Sequence, residues 1–106
     1  MKKKDRQQGD VLFKKVKAIK GKEVKPDVRG YVCAEGETTG HYHAVKDIEA
    51  VKVYEENGVR FVRVLKDTAV VEHQEHGAVV LPKGDYKVGI VREFDPFEKD
   101  ARRVQD

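Results

Sequence analysis

Apolar and polar residues alternate along most of the chain, in short runs separated by residues that favour turns. A period of two sends successive side chains to opposite faces and is typical of half-buried β-strands. The pattern predicts about seven short strands, among them Val11 to Ile19, Tyr31 to Ala34, His41 to Val45 and Tyr86 to Phe94. Short strands at this spacing favour a mainly β protein, a small single-domain β-barrel or sandwich, over a sheet of βαβ units.

The dipeptide Asn57-Gly58 lies between two alternating runs and is the strongest local signal for a β-hairpin. A two-residue turn at this point pairs Glu55 with Arg60 across the two strands. One face of the hairpin then carries four valines, which must face the core because a one-residue slip would expose them all. These residues are Val51, Val53, Val62 and Val64.

Further turn signals divide the second half of the chain. Asp67 is expected to end one strand, and the next is expected to begin at Thr68. The segment Pro82-Lys83-Gly84-Asp85 predicts a tight turn, because Pro and Gly stand where a type II turn favours them.

The C-terminal segment changes from a strand-like to a helix-like period. Asp95 suits an N-cap, Pro96 suits the first helical position, and Glu98 completes a capping box. An apolar stripe with helical spacing follows, at Phe97, Ala101 and Val104. We therefore predict one short C-terminal helix packed on the sheet.

Length and composition exclude several classes of protein. The 106 residues fit one domain, and we expect a basic, flexible arm over residues 1–8 and a single β domain over residues 9–106. The chain has no run of 18 apolar residues and no apolar segment behind its N-terminal lysines, so neither a membrane span nor a secretory signal is expected. A single cysteine favours a reduced, cytoplasmic setting. The absence of serine and of a phosphate-binding Gly-Lys loop excludes serine hydrolases and P-loop enzymes.

The charge pattern gives one hypothesis about partners. Lys and Arg number 22 against 19 Asp and Glu, and the excess of lysine lies in the first quarter of the chain. Such a region can contact phosphate, so a non-catalytic module that binds nucleic acid or a protein partner is one alternative. A solvated basic face is the simpler explanation, because acidic residues are scattered through the rest of the chain.

The four histidines suggest a different chemistry, since they fall in two close pairs. On a strand, His41 and His43 point to the same face, and a turn before Gly77 can bring His73 and His76 together. Close pairs of ligands are how metal sites are built. The pattern predicts a divalent metal site with His41, His43, His73 and His76 as ligands, and imidazoles suit Zn²⁺, Fe²⁺, Ni²⁺ or Mn²⁺. The alternative is that these are polar loop histidines with no ligand.

Two resemblances bear on these residues. Gly40-His41-Tyr42-His43, with Leu81-Pro82-Lys83-Gly84 later, resembles the small single-domain cupins. That resemblance implies a β-barrel in which His41 and His43 bind a metal together with an acidic ligand, Asp47 or Glu49. Lys87 stands at the position of the fourth cupin ligand, so His73 or His76 would replace it.

The second resemblance covers nearly the whole chain. The runs Gln8-Gly9-Asp10-Val11-Leu12, Ala34 to His41, Leu81 to Tyr86 and Arg92 to Pro96 resemble a family of small uncharacterised bacterial and phage proteins. This resemblance implies no activity. The sequence thus leaves open whether a metal would be catalytic or structural, whether a small molecule binds and whether the chain forms a homo-oligomer.

Cys33 is the remaining candidate for chemistry. It could act as a nucleophile beside a histidine or as a further metal ligand. A lone cysteine in the strand Tyr31-Val32-Cys33-Ala34 is more often a small buried apolar residue, and we expect that role here.

Overall fold

The fold is mainly β, as the alternating pattern predicts. The computed structural model describes residues 5–36 and 40–90. Eight strands follow one another in this part of the chain: β1 (Arg6–Gln8), β2 (Val11–Val16), β3 (Lys22–Val24), β4 (Tyr31–Glu35), β5 (Tyr42–Val45), β6 (Val51–Glu56), β7 (Val59–Val71) and β8 (Val79–Ile90). Within the same residues, no helix is long or apolar enough to span a bilayer.

Six strands form an antiparallel sheet in the order β1-β2-β8-β7-β6-β3, and β4 and β5 form a separate ribbon. The predicted barrel is wrong, because β1 and β3 lie at opposite edges and do not pair with each other. Each of these edge strands has only three residues, and the β4–β5 ribbon covers the open sheet instead. Side chains from the ribbon join the same core as the sheet valines: Tyr31, Cys33 and Val45.

The hairpin at Asn57-Gly58 is confirmed with its predicted register. Both turn residues have positive φ, 51° for Asn57 and 81° for Gly58, which is the requirement of a type I′ turn. Glu55 pairs with Arg60, and the four valines of this hairpin are buried on the inner face. The Arg60 Nε lies 3.0 Å from Glu55 Oε1, so the predicted ion pair also forms.

The two breaks predicted after this hairpin are wrong. β7 continues for 13 residues and β8 for 12, and Pro82 to Asp85 lie inside β8. The register shifts between Val64 and Thr68, where β7 has two more residues than β8. Such a bulge bends the strands while they remain paired. Pro82 lies in the part of β8 that pairs with β7 alone, because pairing of β8 with β2 ends at Asp85, and a proline is tolerated at such an edge position.

Three other predictions concern the ends and loops of the chain. The predicted C-terminal helix from Pro96 lies outside the described residues. The predicted arm, residues 1–8, is described from residue 5 onward, and there the sheet begins at Arg6 instead of after residue 8. The segment from Gly21 to Gly30, whose two glycines and Pro26 predict a loop, contains the short edge strand β3.

We expect Gly58→Val to lower the free energy of unfolding by about 1–2 kcal/mol, because a β-branched residue is strained at positive φ. No atom lies within 4 Å of a Cβ built at Gly58, so the loss would come from backbone strain alone. Gly89→Val is the matched control, since Gly89 is equally open and has an extended backbone on β8. Urea denaturation would measure the free energy of unfolding of both variants. An equal decrease in Gly58→Val and Gly89→Val would contradict this explanation.

Candidate functional site

A two-residue bridge beyond the sheet brings the two histidine pairs together. Ala44 of β5 pairs with Glu72, with N–O distances of 3.0 and 2.8 Å between their backbones. Continued in the antiparallel direction, this register sets His43 opposite His73. The backbone N–H of Tyr42 donates to Gln74 Oε1 at 2.8 Å, so contact continues for one more residue.

All four imidazole rings lie in one cluster. The ring centroids of His43 and His73 are 4.4 Å apart, and those of His73 and His76 are 4.6 Å apart. His41 lies 5.4 Å from His73, and His43 lies 6.5 Å from His76. His73 is therefore in contact with each of the other three rings. We call these four side chains the histidine cluster.

Gln8, the last residue of β1, is hydrogen-bonded to the residues around the cluster. Its side chain is only 2% exposed, and its amide nitrogen donates to Val71 O at 3.0 Å and Gly77 O at 2.8 Å. These two carbonyls flank the segment that carries His73 and His76, residues 72–76, which we call the histidine loop. One buried amide thus ties both ends of the histidine loop to β1.

The same Gln8 side chain determines which ring nitrogen of His43 carries the proton. Gln8 Oε1 lies 2.8 Å from His43 Nδ1. Because the Gln8 amide nitrogen already donates twice, its oxygen must be the acceptor, and His43 Nδ1 therefore carries the proton. A neutral His43 then keeps its free lone pair on Nε2.

His73 has the opposite tautomer. Its Nδ1 accepts hydrogen bonds from the backbone N–H groups of Glu75 at 3.0 Å and His76 at 3.2 Å. A backbone N–H can only donate, so Nδ1 is unprotonated and a neutral His73 carries its proton on Nε2. The ring closes the histidine loop in the way that an Asn or Asp side chain closes an Asx turn.

Gly9 allows His76 to pack against the turn between β1 and β2. Its φ is +60°, and a Cβ at this position would lie 2.4 Å from His76 Nε2. No side chain larger than hydrogen fits there without displacing the ring. Sequence reasoning did not assign Gln8 and Gly9 to the site, because nothing local indicates that their run faces the histidines.

Burial keeps the inner imidazoles neutral. The pKa of His43 is lowered to about 4, mainly by burial and in smaller part by the charge that His73 would carry, while Asp10 opposes the shift. Burial also lowers the pKa of His73, helped by the neighbouring His76 and His41. His43 itself is 1% exposed. Near neutral pH both rings are therefore uncharged, the state in which an imidazole can bind a metal.

The other candidate ligands lie in different environments. His41 Nε2 is 3.9 Å from Glu75 Oε2 at the rim of the cluster. Asp47, the acidic ligand that the cupin resemblance implies, instead accepts from Lys66 Nζ at 2.9 Å, and Glu49 is exposed. Among residues 5–36 and 40–90, no three His, Cys, Asp or Glu side chains are arranged to hold a metal ion as they stand.

Cys33 is a core residue, as expected. It is 1% exposed and lines a cavity of about 260 Å³ together with Val32, Arg60 and Val88. Burial raises the pKa of its thiol to about 12, although Arg60 opposes the shift. The thiol therefore remains protonated near neutral pH, which disfavours both nucleophilic attack and metal binding.

The lysine-rich first quarter of the chain lies only partly within the described residues. Lys2, Lys3 and Lys4 lie outside the described residues. Lys14 on β2 lies directly opposite Lys87 on β8, and both are exposed. This like-charge pair is a small positive patch on the outer face of the sheet.

Comparison with known proteins gives a family. Residues 7–91 match the model of a family described as a domain of unknown function, DUF8820. The matched segment contains Gln8, Gly9 and all four histidines. No curated protein and no solved structure gives a significant match. The prediction of an uncharacterised family is confirmed to this extent.

In metal-free protein, we expect the free energy of unfolding to fall as the pH drops from about 6.5 to about 4. The folded-state pKa of His43, about 4, lies below the value of about 6.5 expected in the unfolded chain, so the unfolded state takes up the proton first. This contribution is fully present above pH ~6.5 and is lost as the pH falls through the folded pKa. The pKa difference sets its limit at about 3 kcal/mol.

Urea denaturation across this pH range, with a chelator present, would measure the effect. His43→Gln is the control variant, because a glutamine amide can still donate to Gln8 Oε1 but does not titrate. Its stability should depend less steeply on pH than that of the wild type. An unchanged pH dependence in His43→Gln would show that His43 is not the responsible group.

Proposed function

The chain belongs to the DUF8820 family, and we propose that its histidine cluster binds one divalent metal ion. The observation that carries the proposal is the convergence of all four histidines of the chain from two separate segments. Their ring centroids lie 4.4 to 6.5 Å apart. Four imidazoles brought together in this way form a nitrogen donor set that suits Zn²⁺, Fe²⁺, Ni²⁺ or Mn²⁺.

The size of the cluster supports a shared ion. Two imidazoles on one tetrahedral Zn²⁺, with Zn–N distances of about 2.0–2.1 Å, have ring centroids roughly 5 Å apart. The separations from His73 to the other three rings, 4.4, 4.6 and 5.4 Å, lie close to this value, and that between His43 and His76, 6.5 Å, is larger. Because no three donor side chains of the described residues are arranged for an ion as they stand, binding requires side-chain rotations at the rim.

The hydrogen bonds behind the rings also favour a metal. A metal-binding histidine usually donates its other ring N–H to a fixed acceptor, which sets the tautomer and the ring orientation. Gln8 Oε1 supplies that acceptor for His43 Nδ1, and the free lone pair on Nε2 is the one a metal needs. Because the inner rings are neutral near pH 7, a metal would displace few protons on binding.

The position of the histidine loop gives the ion a way in. His76 and the loop residues Gln74 and Glu75 are exposed, whereas His43 is buried. One side of the cluster therefore faces solvent. The likeness to cupins is limited to the donor set, a His-x-His pair beside further histidines, since the sheet here is open.

We expect untagged protein to bind about one metal ion per chain in titrations with Zn²⁺, Ni²⁺, Mn²⁺ or, without oxygen, Fe²⁺. A chelator should lower the melting temperature of the loaded protein near pH 7.5 and change it little near pH 5. The reason is that protons compete with the metal for imidazole nitrogens, so its contribution to stability is fully present above about pH 6.5 and is lost progressively as the pH falls further. His41→Ala should remove the difference between the two pH values.

Cys33→Ala is the control, because Cys33 is the single cysteine of the chain and its thiol is buried and protonated. This variant should keep the metal. A melting temperature that ignores the chelator near pH 7.5, with no heat of binding, would contradict the proposal. Salt-sensitive binding of an oligonucleotide by such metal-free protein, lost in Lys14→Glu, would instead support the alternative of a nucleic-acid-binding module.

A further inference from the structure

We propose that the cavity beside Cys33 binds a small, uncharged, mostly apolar molecule with one hydrogen-bond-accepting oxygen, and that Arg60 donates to that oxygen. The cavity has a volume of about 260 Å³ and lies where the β4–β5 ribbon meets the end of the sheet. None of the residues that line it belongs to the histidine cluster. The inference therefore goes beyond the proposed function and does not depend on it.

The walls of the cavity are mostly apolar. β4 supplies one side, and the end of β8 supplies the other. The apolar residues of the lining are Val32, Cys33, Ala34, Val88 and Ile90. Cys33 and Val88 are buried, whereas Ile90 is 55% exposed, so the mouth lies on the side of Ile90. An apolar cavity of about 150 Å³ can hold a benzene molecule, and this one has room for a ring with a small substituent.

Arg60 gives the apolar cavity a polar anchor. Its Nη1 donates to the backbone carbonyl of Val32, and its Nε donates to Glu55 Oε1 at 3.0 Å. These two bonds hold the guanidinium between the ribbon and the hairpin. Within residues 5–36 and 40–90, Nη2 donates to no acceptor. Because a guanidinium has five N–H donors, Arg60 retains donors for a bound molecule.

The charges around the cavity favour an uncharged molecule. Arg60 is paired with Glu55, and the carboxylate of Glu35 at the rim lies 3.4 Å from the guanidinium of Arg29. Both charged residues of the lining therefore already have a partner of opposite charge. Burial raises the pKa of the Cys33 thiol to about 12, so the thiol adds no charge near neutral pH. An ionised ligand would lose its hydration here without gaining a free counter-charge.

Polar and apolar features together define the class of ligand. Ligand sites are typically apolar pockets in which a few polar groups fix the orientation of the bound molecule. A ketone, ester or amide on a ring or a short branched chain meets both requirements, because its carbonyl oxygen accepts from Arg60 and its apolar part contacts Val32, Cys33 and Val88. A hydrocarbon of the same shape would leave the free donors of Arg60 without an acceptor.

Three compounds of similar size test the class of ligand. Acetophenone carries an acceptor oxygen, ethylbenzene has the same shape without one, and benzoate carries a charge. The chain has three isoleucines, and of these Ile90 lines the cavity. NMR of metal-free protein labelled at the isoleucine methyl groups, with a chelator present, therefore gives a local readout. Ile19 and Ile48 are the internal controls.

We expect acetophenone to shift the Ile90 methyl signal in a saturable way and to leave those of Ile19 and Ile48 in place. Ethylbenzene should bind about 10-fold more weakly, because it cannot accept a hydrogen bond from a charged donor. Benzoate should not bind. This comparison uses the wild type alone, so it does not depend on the folding of any variant.

Arg60→Lys tests the assignment of the donor. Lysine keeps the positive charge beside Glu55 but has a single nitrogen in place of the guanidinium fork. This variant should bind acetophenone as weakly as ethylbenzene, while its affinity for ethylbenzene stays that of the wild type. Arg63→Lys is the matched control, because Arg63 lies on the same strand but its Nε donates to Asp85 Oδ1 at 3.0 Å outside the cavity. It should bind both compounds as the wild type does.

Three results would overturn the proposal. In the first, no compound shifts the Ile90 signal, or all three isoleucine signals move together. In the second, benzoate binds more tightly than acetophenone, which would make the cavity an anion site. In the third, acetophenone and ethylbenzene bind equally in the wild type, which would show that Arg60 does not donate. Because the chelator keeps the protein free of metal, each of these results leaves the proposed function of the histidine cluster intact.

Discussion

The buried amide of Gln8 connects the parts of the molecule on which the candidate site depends. It donates to the carbonyls of Val71 and Gly77 and accepts from the imidazole of His43. Each of these groups would be costly to bury without a partner, by about 1–3 kcal/mol. The sheet, the ribbon and the histidine loop are therefore held in one arrangement by hydrogen bonds that no water can replace without opening the core.

This arrangement also decides the chemistry of the rings. Gln8 places the proton of His43 on Nδ1, and the backbone of the histidine loop places the proton of His73 on Nε2. Two adjacent imidazoles of identical intrinsic chemistry thus become an acceptor and a donor. Burial lowers the pKa of both. The cluster is asymmetric because its hydrogen-bond partners differ, and not because of the residue type.

The sheet explains how such a small chain can bury these polar groups. The paired strands β7 and β8 run without a break through the bulge after Val64. Before the bulge, the even-numbered residues Val62 and Val64 of β7 are buried, and after it the odd-numbered residues Ala69 and Val71 are buried. The bulge lets one long strand serve two parts of the core. The end of β7 then lies beside β5, where the bridge between Ala44 and Glu72 sets which residues of β5 and of the histidine loop lie opposite each other.

The sequence by itself determined the mainly β fold and the Asn57-Gly58 hairpin with its register, because alternation and turn residues act over a few neighbouring positions. It also indicated the two histidine pairs. It did not reveal the continuity of β8 through Pro82, because a proline and a glycine favour a turn unless a neighbouring strand pairs with them. Only the tertiary structure decided that the two pairs meet, and that Gln8 and Gly9 lie beneath them. Those contacts join residues more than 30 positions apart, and a hydrogen bond over such a distance in sequence leaves no local pattern.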